Sequence, residues 1–393
     1  MKDFLEGSQA VAKAIKLCKP GVISAYPITP QTHIVEELAQ IVADGELQAQ
    51  FVNVESEHSA ASVVLGAVAT GVRAYTATSS QGLLYMSEVL FNIAGMRLPV
   101  MLTCANRSVS APINIWNDHQ DSISMRDNGW IQFYAENHQE IVDLHLIGYR
   151  LGEYKSIMLP VMVCMDGYIL THGIETVDIP TQEEVDKFLP PYKPPYKLDP
   201  ENPLTMGLLA DPDYYMETRY AIQETHKDVV KLIPKLTQEF SKVFTRQYNG
   251  LIEEYRTKDA ERIIIAMGSV CGTIKEVVDE LRTKAKKVGL LKITTYRPFP
   301  HQEIYEALKN IPKVAVLDRA LSLGSYAPVA SEIKAIFFSK KKKPKVISSF
   351  IVGLGGRDIT KDSIKEIFRL LNQKEKTAEF IDLKPELLKE SYG

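Results

Sequence analysis

The chain has 393 residues, and its 46 lysines and arginines nearly balance 49 acidic residues, which leaves a formal net charge of −3. At roughly 150 residues per domain, this length predicts two or three domains. The balanced charge argues against a strongly basic nucleic-acid-binding protein, and because no apolar run reaches about 18 residues we expect no contact with a membrane.

Short apolar runs alternate with helical patterns over the first 170 residues. The runs predicted as strands are Val22–Ala25, Phe51–Val54, Ala74–Thr78, Val100–Ala105 and Val161–Met165. The segments with apolar residues at three- and four-residue spacing, predicted as helices, are Thr32–Asp44, His58–Thr70, Gly82–Gly95 and Gln139–Glu153. This alternation predicts an α/β fold with a parallel sheet, and the continuously apolar strands indicate that both faces of the sheet are covered.

A proline-rich stretch, Pro190–Pro195, interrupts the alternation and predicts an extended connection. The long polar segment Tyr214–Arg256 follows and predicts a helical region that Pro234 kinks or splits. We therefore predict three parts: a first domain over 1–180, a linker and helical region over 181–258, and a second domain over 259–393.

The second domain repeats the alternation. Its predicted strands are Ile263–Met267, Val288–Ile293, Val314–Leu317 and Val346–Ile351, and its predicted helices are Thr273–Lys286, His301–Lys309, Ala327–Phe337 and Lys361–Leu371. The glycine-rich segment Gly353–Asp358 follows the last strand and departs from the dinucleotide-binding pattern, so we interpret it as a structural or interface turn.

The four cysteines, Cys18, Cys104, Cys164 and Cys271, are widely separated. Their spacing argues against a Cys-x-x-Cys metal site and a dense disulfide framework, and an iron–sulfur cluster held by this chain would need all four to converge. We expect reduced thiols in a cytoplasmic protein, an interpretation that the polar first residues also favour.

Ligands of open parallel sheets bind at the carboxyl ends of the strands, so the residues that follow each strand are the candidates for function. After the first strand, Pro27 and Pro30 stiffen the backbone around Thr29, which presents its hydroxyl or simply connects strand to helix. After the second, Glu55 or Glu57 is either a helix cap or a partly buried carboxylate that accepts a hydrogen bond from a ring nitrogen.

The third and fourth strands are also followed by polar loops. The segment Thr76–Gly82 offers hydroxyls and free backbone N–H groups, but it lacks the lysine of a P-loop. Arg107 is either a surface residue or placed to bind a carboxylate, while Ile115 and Trp116 either wall an apolar pocket or belong to the core. We interpret Asp118–Asp121 as loop structure, since its spacing fits no compact metal site.

Taken together and in this order, these segments resemble the alpha subunit of multi-subunit pyruvate:ferredoxin oxidoreductases, within the 2-oxoacid:ferredoxin oxidoreductase family. The resemblance covers essentially the whole chain. The motifs that carry it are Tyr26–Pro30, Glu55–Ala60, Ser80–Leu83, Asn106-Arg107, Asn117–Asp121 and Gly353–Asp358. It implies a pyrimidine-binding domain of thiamine diphosphate enzymes, with a parallel sheet between helices, followed by an α/β domain like the C-terminal domain of transketolase.

The resemblance also assigns roles. Glu57 is the catalytic and cofactor-binding carboxylate, which bonds a ring nitrogen of the cofactor's aminopyrimidine and so promotes formation of the reactive thiazolium carbanion. Ser80 and Gln81 are further cofactor-binding residues. Thr29, Arg107 and Ile115 bind the substrate, and no residue of this chain is expected to hold a metal ion.

The same resemblance implies partner chains. The sequence has no Gly-Asp-Gly run of the kind that binds the diphosphate and its metal, and no cluster-binding cysteine motif. Thiamine diphosphate is therefore expected to be shared with a partner, and Mg²⁺ and the [4Fe-4S] clusters to lie on partners. The implied partners are the beta, gamma and delta subunits in a dimer of heteromers, with coenzyme A as co-substrate and ferredoxin as electron acceptor.

Related subunits act on 2-oxoglutarate, 2-oxoisovalerate, aryl pyruvates or oxalate. The Tyr26–Pro30 turn and the Asn114–Trp116 segment favour pyruvate, and the oxalate-using relatives tend to carry an arginine where this chain has Thr29. A non-catalytic assembly subunit and a self-sufficient nucleotide-dependent dehydrogenase are the alternatives. The lack of a clean dinucleotide-binding pattern argues against the second.

Overall fold

The computed structural model describes residues 2–388, which divide into two compact units. Unit one runs to Glu253 and also includes Ile293–Pro300, while unit two comprises Glu254–Lys292 and the residues from His301 onward. The boundaries predicted after residues 180 and 258 stay a prediction. None of the helices in residues 2–388 combines the length and apolar character needed to cross a bilayer.

The strands are β1 (Lys2–Glu6), β2 (Val22–Ala25), β3 (Gln50–Asn53), β4 (Ala74–Thr78), β5 (Met101–Asn106), β6 (Ile131–Tyr134), β7 (Val161–Asp166), β8 (Ile174–Asp178), β9 (Ile252–Tyr255), β10 (Arg262–Ala266), β11 (Val288–Ile293), β12 (Thr295–Arg297), β13 (Lys313–Asp318), β14 (Val346–Ile351) and β15 (Glu379–Phe380).

The helices are α1 (Gly7–Cys18), α2 (Thr32–Ala43), α3 (Glu57–Ala69), α4 (Ser80–Tyr85), α5 (Ser87–Gly95), α6 (Gln120–Ser124), α7 (His138–Gly152), α8 (Gln182–Phe188), α9 (Pro212–Phe244), α10 (Val270–Thr283), α11 (His301–Leu308), α12 (Pro328–Phe337) and α13 (Lys361–Leu370). Short 3₁₀ turns occur at Leu354–Gly356 and Pro385–Leu387.

A seven-stranded sheet in the order β12-β6-β7-β5-β4-β2-β3 forms the centre of unit one. Its strands pair in parallel, except that β12 runs antiparallel to β6. Every residue of β4, β5, β6 and β7 is buried, so both faces are covered and the predicted α/β sheet is confirmed. A second, two-stranded antiparallel sheet pairs β1 with β8.

Two groups of helices pack on this sheet. In one, α1 packs against α2 and α7, and α7 packs against α9. In the other, α3 packs against α4 and α5, and α4 against α6. A Cβ at Gly7 in α1 would lie 2.1 Å from the Leu170 carbonyl oxygen, so only glycine permits this close approach.

Two predicted helices differ from the structure. The predicted helix Gly82–Gly95 is two helices, α4 and α5, which meet at Met86. Of the two outcomes predicted for Pro234, a split of the long helical region is wrong, because α9 continues through it, and a kink stays a prediction. Ile233 and Leu236 flank this proline and are fully buried, so packing on the core offsets the one backbone donor that proline lacks.

Unit two is built on a six-stranded sheet in the order β15-β14-β13-β10-β11-β9. The pairs from β15 to β11 are parallel, and the helices α10 and α13 cover a core of aliphatic residues. Asp318 ends β13 and accepts hydrogen bonds from the N–H groups of Val329 (2.7 Å) and Ala330 (3.1 Å) at the start of α12. Burial raises the pKa of this carboxyl to about 7.

A buried hydrogen-bonded chain crosses the core of unit one. The Tyr75 hydroxyl donates to Thr103 Oγ1 (2.7 Å), which lies 2.6 Å from His145 Nε2, and His145 Nδ1 lies 2.6 Å from the Ile141 carbonyl oxygen. These partners suit a neutral imidazole with its proton on Nδ1, and burial lowers the pKa of His145 to about 4.

We predict that unit one loses stability as the pH falls from about 6.5 towards 4. In this pH range the histidine of the unfolded chain binds a proton, whereas folded His145 stays neutral. The free energy of unfolding therefore falls by up to about 1.4 kcal/mol per pH unit. Denaturant unfolding at pH 7 and at pH 5 measures this loss in the free energy of unfolding. His145→Gln should flatten the slope only in part, because burial also lowers the pKa of His226 to about 4. His33→Gln, at an exposed histidine, is the control, and equal slopes for all three proteins would contradict the prediction.

Candidate active site

The candidate site of unit one lies where parallel strands end. The carboxyl ends of β2, β4 and β5 share one edge of the sheet, and the loops and helices that follow them carry Thr29, Ser80 and Arg107. A hydrogen bond from the Gln31 side chain to the Ala77 carbonyl oxygen (2.6 Å) ties the first of these loops to β4. Residues far apart in sequence therefore meet at this edge.

Arg107 follows β5 directly, and its side chain is buried, with 7% exposed. Its Nη1 donates to the Thr29 carbonyl oxygen and its Nη2 to Gln81 Oε1, both at 2.7 Å. The Nε–H group is buried and has no acceptor among residues 2–388. Burial lowers the pKa of the guanidinium, an effect that the carboxylates of Asp121 and Glu57 oppose.

Glu57 is the first residue of α3 and is 8% exposed. It is not the helix cap, because Ser56 Oγ fills that role by accepting from the Ser59 N–H (3.2 Å). Its carboxylate accepts no hydrogen bond from any residue in the range 2–388. Glu55 is exposed instead, and its carboxylate accepts a hydrogen bond from Ser59 Oγ, which lowers the Glu55 pKa.

Gly82 is the residue that lets α4 approach Glu57. A Cβ built on it would lie 2.4 Å from Thr78 Oγ1 and 2.7 Å from Glu57 Oε1. Both distances are too short for any side chain, so glycine is required here for space. The carboxylate of Glu57 is thus fixed against the turn that carries Ser80 and Gln81.

Ser80 has a left-handed backbone, with φ of 48°, and is fully buried. Its hydroxyl lies 2.5 Å from both the Ser108 carbonyl oxygen and Gln81 Oε1. The Gln81 amide contacts Ser110 Oγ as well as Arg107. The two predicted cofactor-binding residues therefore lie against the loop that follows β5, and their roles stay predictions.

The predicted substrate residues Thr29 and Ile115 lie nearer the surface. Thr29 is exposed, and Ile115 is half-buried beside Trp116, which is 52% exposed. The Trp116 carbonyl oxygen accepts from the Ser108 N–H (3.0 Å), which closes this loop, and the Trp116 ring lies 6.3 Å from that of Tyr168.

The segment Asp118–Asp121, predicted as loop structure, contributes to a short helix, because α6 begins at Gln120. No sequence pattern indicated the position of Asp121, whose buried carboxylate accepts hydrogen bonds from the backbones of Ser80 and Arg107. The same holds for the pair between His119 Nε2 and Asp166 Oδ1 (2.8 Å), both of which are buried. No spacing rule marks these contacts, since their partners come from separate loops.

Elsewhere in unit one, three carboxylates, those of Glu136, Glu140 and Glu253, have oxygens within 4.8 Å of one another. Each of these residues also has other partners in the chain. The cluster lies just beyond the end of β6, which runs parallel to β5, and the acidic side chains alone do not make it a site.

Family models match both parts of the chain. Residues 13–238 match the model described as pyruvate flavodoxin/ferredoxin oxidoreductase, thiamine diP-bdg. The chain belongs to the pyruvate flavodoxin/ferredoxin oxidoreductase family. Residues 260–364 match the pyruvate:ferredoxin oxidoreductase core domain II, so this family accounts for both α/β parts.

Curated members of this family are similar over nearly the whole chain. Pyruvate synthase subunit PorA of Methanothermobacter thermautotrophicus is 52% identical, over 97% of this chain and 98% of the relative. The PorA subunit of Pyrococcus abyssi is 48% identical, over 99% and 100%. Ketoisovalerate oxidoreductase subunit VorA of Pyrococcus horikoshii is 43% identical, over 93% of each.

Solved structures support the fold. A 2-oxoglutarate:ferredoxin oxidoreductase from Magnetococcus marinus, with 2-oxoglutarate, coenzyme A and succinyl-CoA bound, superposes with a TM-score of 0.71 at 19% identity. The match covers 95% of this chain and 65% of that one. A split-gene transketolase gives a TM-score of 0.53 at 11% identity, over 92% and 93% of the two chains. The fold predicted from family resemblance is confirmed.

We predict that Gly82→Ala destabilises unit one by about 1–3 kcal/mol, because the added Cβ forces Glu57 and Thr78 apart. Gly66→Ala is the matched control, since a Cβ there meets nothing within 4 Å in the middle of α3. Alanine at that position should leave stability unchanged or raise it by up to about 1 kcal/mol. Thermal unfolding of both variants measures the difference, and similar midpoints would refute the steric argument.

Proposed function

We propose that this chain is the alpha subunit of a thiamine-diphosphate-dependent pyruvate:ferredoxin oxidoreductase. The reaction converts pyruvate, coenzyme A and two oxidised ferredoxins into acetyl-CoA, carbon dioxide, two reduced ferredoxins and a proton, and it is reversible. The observation that carries the proposal is the carboxylate of Glu57, a residue only 8% exposed, which accepts no hydrogen bond within residues 2–388 and shares a strand edge with the Arg107 guanidinium.

The residues at this edge fit the pyrimidine end of thiamine diphosphate. The Glu57 carboxylate has no hydrogen-bond donor within residues 2–388, and the missing side chain at Gly82 leaves space beside it. The carboxylate is therefore suited to accept a hydrogen bond from a ring N–H group. When bound, thiamine diphosphate supplies a nucleophilic carbon and an electron sink for cleavage of the carboxylate from a 2-oxoacid. Glu57 would accept a hydrogen bond from the pyrimidine nitrogen and so hold a proton on that nitrogen. Ser80 and Gln81 line the turn beside Glu57.

Arg107 and Thr29 suit the carboxylate of the substrate. The guanidinium has five N–H groups, of which two are bound by Thr29 and Gln81, so its Nε–H and two others stay available. Thr29 is exposed, and its backbone carbonyl is the group that Arg107 contacts. A guanidinium that is already fixed and desolvated orients an anion more strongly than a mobile surface group does. Ile115 would supply an apolar wall.

Pyruvate is the 2-oxoacid that the comparisons favour. Relatives named pyruvate synthase subunits reach 52% identity, whereas the relative named a ketoisovalerate oxidoreductase subunit reaches 43%. Thr29 stands where oxalate-using relatives tend to have an arginine. The other 2-oxoacids are assayed alongside pyruvate as competing substrates of the complex.

Partner chains complete the proposed enzyme. The [4Fe-4S] clusters are assigned to the beta, gamma and delta subunits, because the four cysteines of this chain are buried in separate elements. Mg²⁺ is assigned to them as well, because this sequence has no Gly-Asp-Gly run. Exposed apolar side chains, including Leu209 (99%) and Leu323 (90%), support coverage by other chains in a dimer of heteromers. Ferredoxin is the proposed electron acceptor, coenzyme A the acyl acceptor and the cytoplasm the compartment.

We predict that Glu57→Gln lowers pyruvate-dependent activity of the assembled complex by about 100-fold or more, because a neutral amide is a poor partner for a protonated ring nitrogen. The assay is dye reduction with thiamine diphosphate, Mg²⁺ and coenzyme A supplied. Glu55→Gln, two residues away and exposed, is the matched control and should retain activity. Activity of Glu57→Gln within about twofold of the unchanged complex would favour a purely structural subunit.

We predict that Arg107→Lys lowers kcat/KM for pyruvate by roughly 10- to 100-fold, because lysine cannot bind Thr29, Gln81 and a carboxylate in one plane. The control is Arg73→Lys, at a similarly buried arginine that pairs with Glu153 on another part of unit one.

The unchanged complex is assayed in parallel with pyruvate, 2-oxoglutarate, 2-oxoisovalerate, an aryl pyruvate and oxalate. Preference for a 2-oxoacid other than pyruvate would overturn the substrate assignment but retain the mechanism.

A further inference from the structure

We propose that Asp121 is a positioning residue that sets the affinity for the 2-oxoacid by holding the backbones of Ser80 and Arg107 in fixed relation. The inference rests on the proposed function, because it assigns Asp121 to the same site. Asp121 itself touches neither substrate nor cofactor in this scheme. It acts through the two residues that it joins.

The carboxylate of Asp121 gathers donors from three parts of the chain. Its Oδ2 accepts from the backbone N–H groups of Ser80 (3.0 Å) and Arg107 (2.9 Å), and the Cys104 thiol lies 3.5 Å away. Its Oδ1 accepts from Asn106 Nδ2 (2.8 Å) and from the Ser122 N–H (2.7 Å). One fully buried group thus connects the start of α4, the end of β5 and the start of α6.

Each short hydrogen bond of the Asp121 side chain is donated to its carboxylate oxygens by another group. This position therefore requires an acceptor at both oxygens, which a carboxylate supplies. An asparagine has the same shape, but its NH₂ group would face an N–H or amide donor on one side whichever way it turned. A buried donor left without an acceptor costs about 1–3 kcal/mol, which the chain can relieve only by moving one of the two loops.

Such a movement bears on substrate binding more than on the pyrimidine end. Arg107 is held at its backbone by Asp121 and at its guanidinium by Thr29 and Gln81, so release of the backbone shifts the charged group. Glu57 lies on α3, whose N-terminus is capped by Ser56 and makes no hydrogen bond to Asp121. Asp121 also holds the backbone of Ser80, so we expect the affinity for thiamine diphosphate to change as well, but less than the KM for pyruvate.

The test compares Asp121→Asn with Asp143→Asn in the complete purified complex. Asp143 is an equally buried carboxylate on α7, where it accepts from Arg246 and Tyr248 and not from Ser80 or Arg107. Both variants should lower the thermal midpoint. Only Asp121→Asn should raise the KM for pyruvate, by about tenfold or more, which corresponds to roughly 1.4 kcal/mol. Its half-saturating thiamine diphosphate concentration should rise by a smaller factor than this KM.

An unchanged KM for Asp121→Asn, with only a lower thermal midpoint, would show a structural role and overturn the inference. An equal rise in KM for Asp143→Asn would overturn it as well. If Asp121→Asn fails to assemble, Asp121→Glu serves instead, since it keeps a carboxylate but its longer side chain shifts both backbone contacts. A rise in KM of a few-fold supports the inference and an unchanged KM refutes it. Failure of the proposed function is distinct, because the unchanged complex would then show no pyruvate-dependent reduction.

Discussion

The parallel direction of neighbouring strands is the constraint on which the candidate site depends. Because β2, β4 and β5 run the same way, the segments that follow them leave the sheet at one edge, even though 78 residues separate Thr29 from Arg107. The hydrogen bonds between these segments are then short and buried. A sheet with one of these strands reversed would carry the same residues to opposite edges, and neither Arg107 nor Glu57 would have its present neighbours.

Burial gives the polar groups at this edge their chemical character. Most buried polar atoms of a folded chain find partners, and Asp121 satisfies this rule with donors on both oxygens. The Nε–H of Arg107 does not satisfy it within residues 2–388. The carboxylate of Glu57 stands apart from the rule, because the residue is 8% exposed, and it accepts no hydrogen bond in the same range. One is a donor that suits an anion, and the other is an acceptor that suits a ring N–H group. The unfilled hydrogen-bonding capacity therefore matches the two ends of the proposed reaction.

A site of this kind needs more than one chain in the proposed enzyme. In that proposal, unit one would supply the groups for the pyrimidine and the substrate carboxylate, while partners would hold the diphosphate, its metal ion and the electron-transfer clusters. Family membership links the chain to subunits of close to its own length, since the PorA relative of Pyrococcus abyssi is covered in full. The exposed apolar residues, Leu209 among them, then have an explanation in chain–chain contact.

The sequence by itself determined the alternating elements, with Val22–Ala25, Ala74–Thr78 and Val346–Ile351 predicted at their observed bounds, because continuous apolar runs between turn residues are a local signal. It also marked the polar loops that carry the candidate residues. It missed α1, whose small residues are weakly apolar but pack without space for a Cβ at Gly7. Only the tertiary structure decided that Asp121 joins Ser80, 41 residues away, to Arg107, because a hydrogen bond between separate loops depends on where the whole sheet places them.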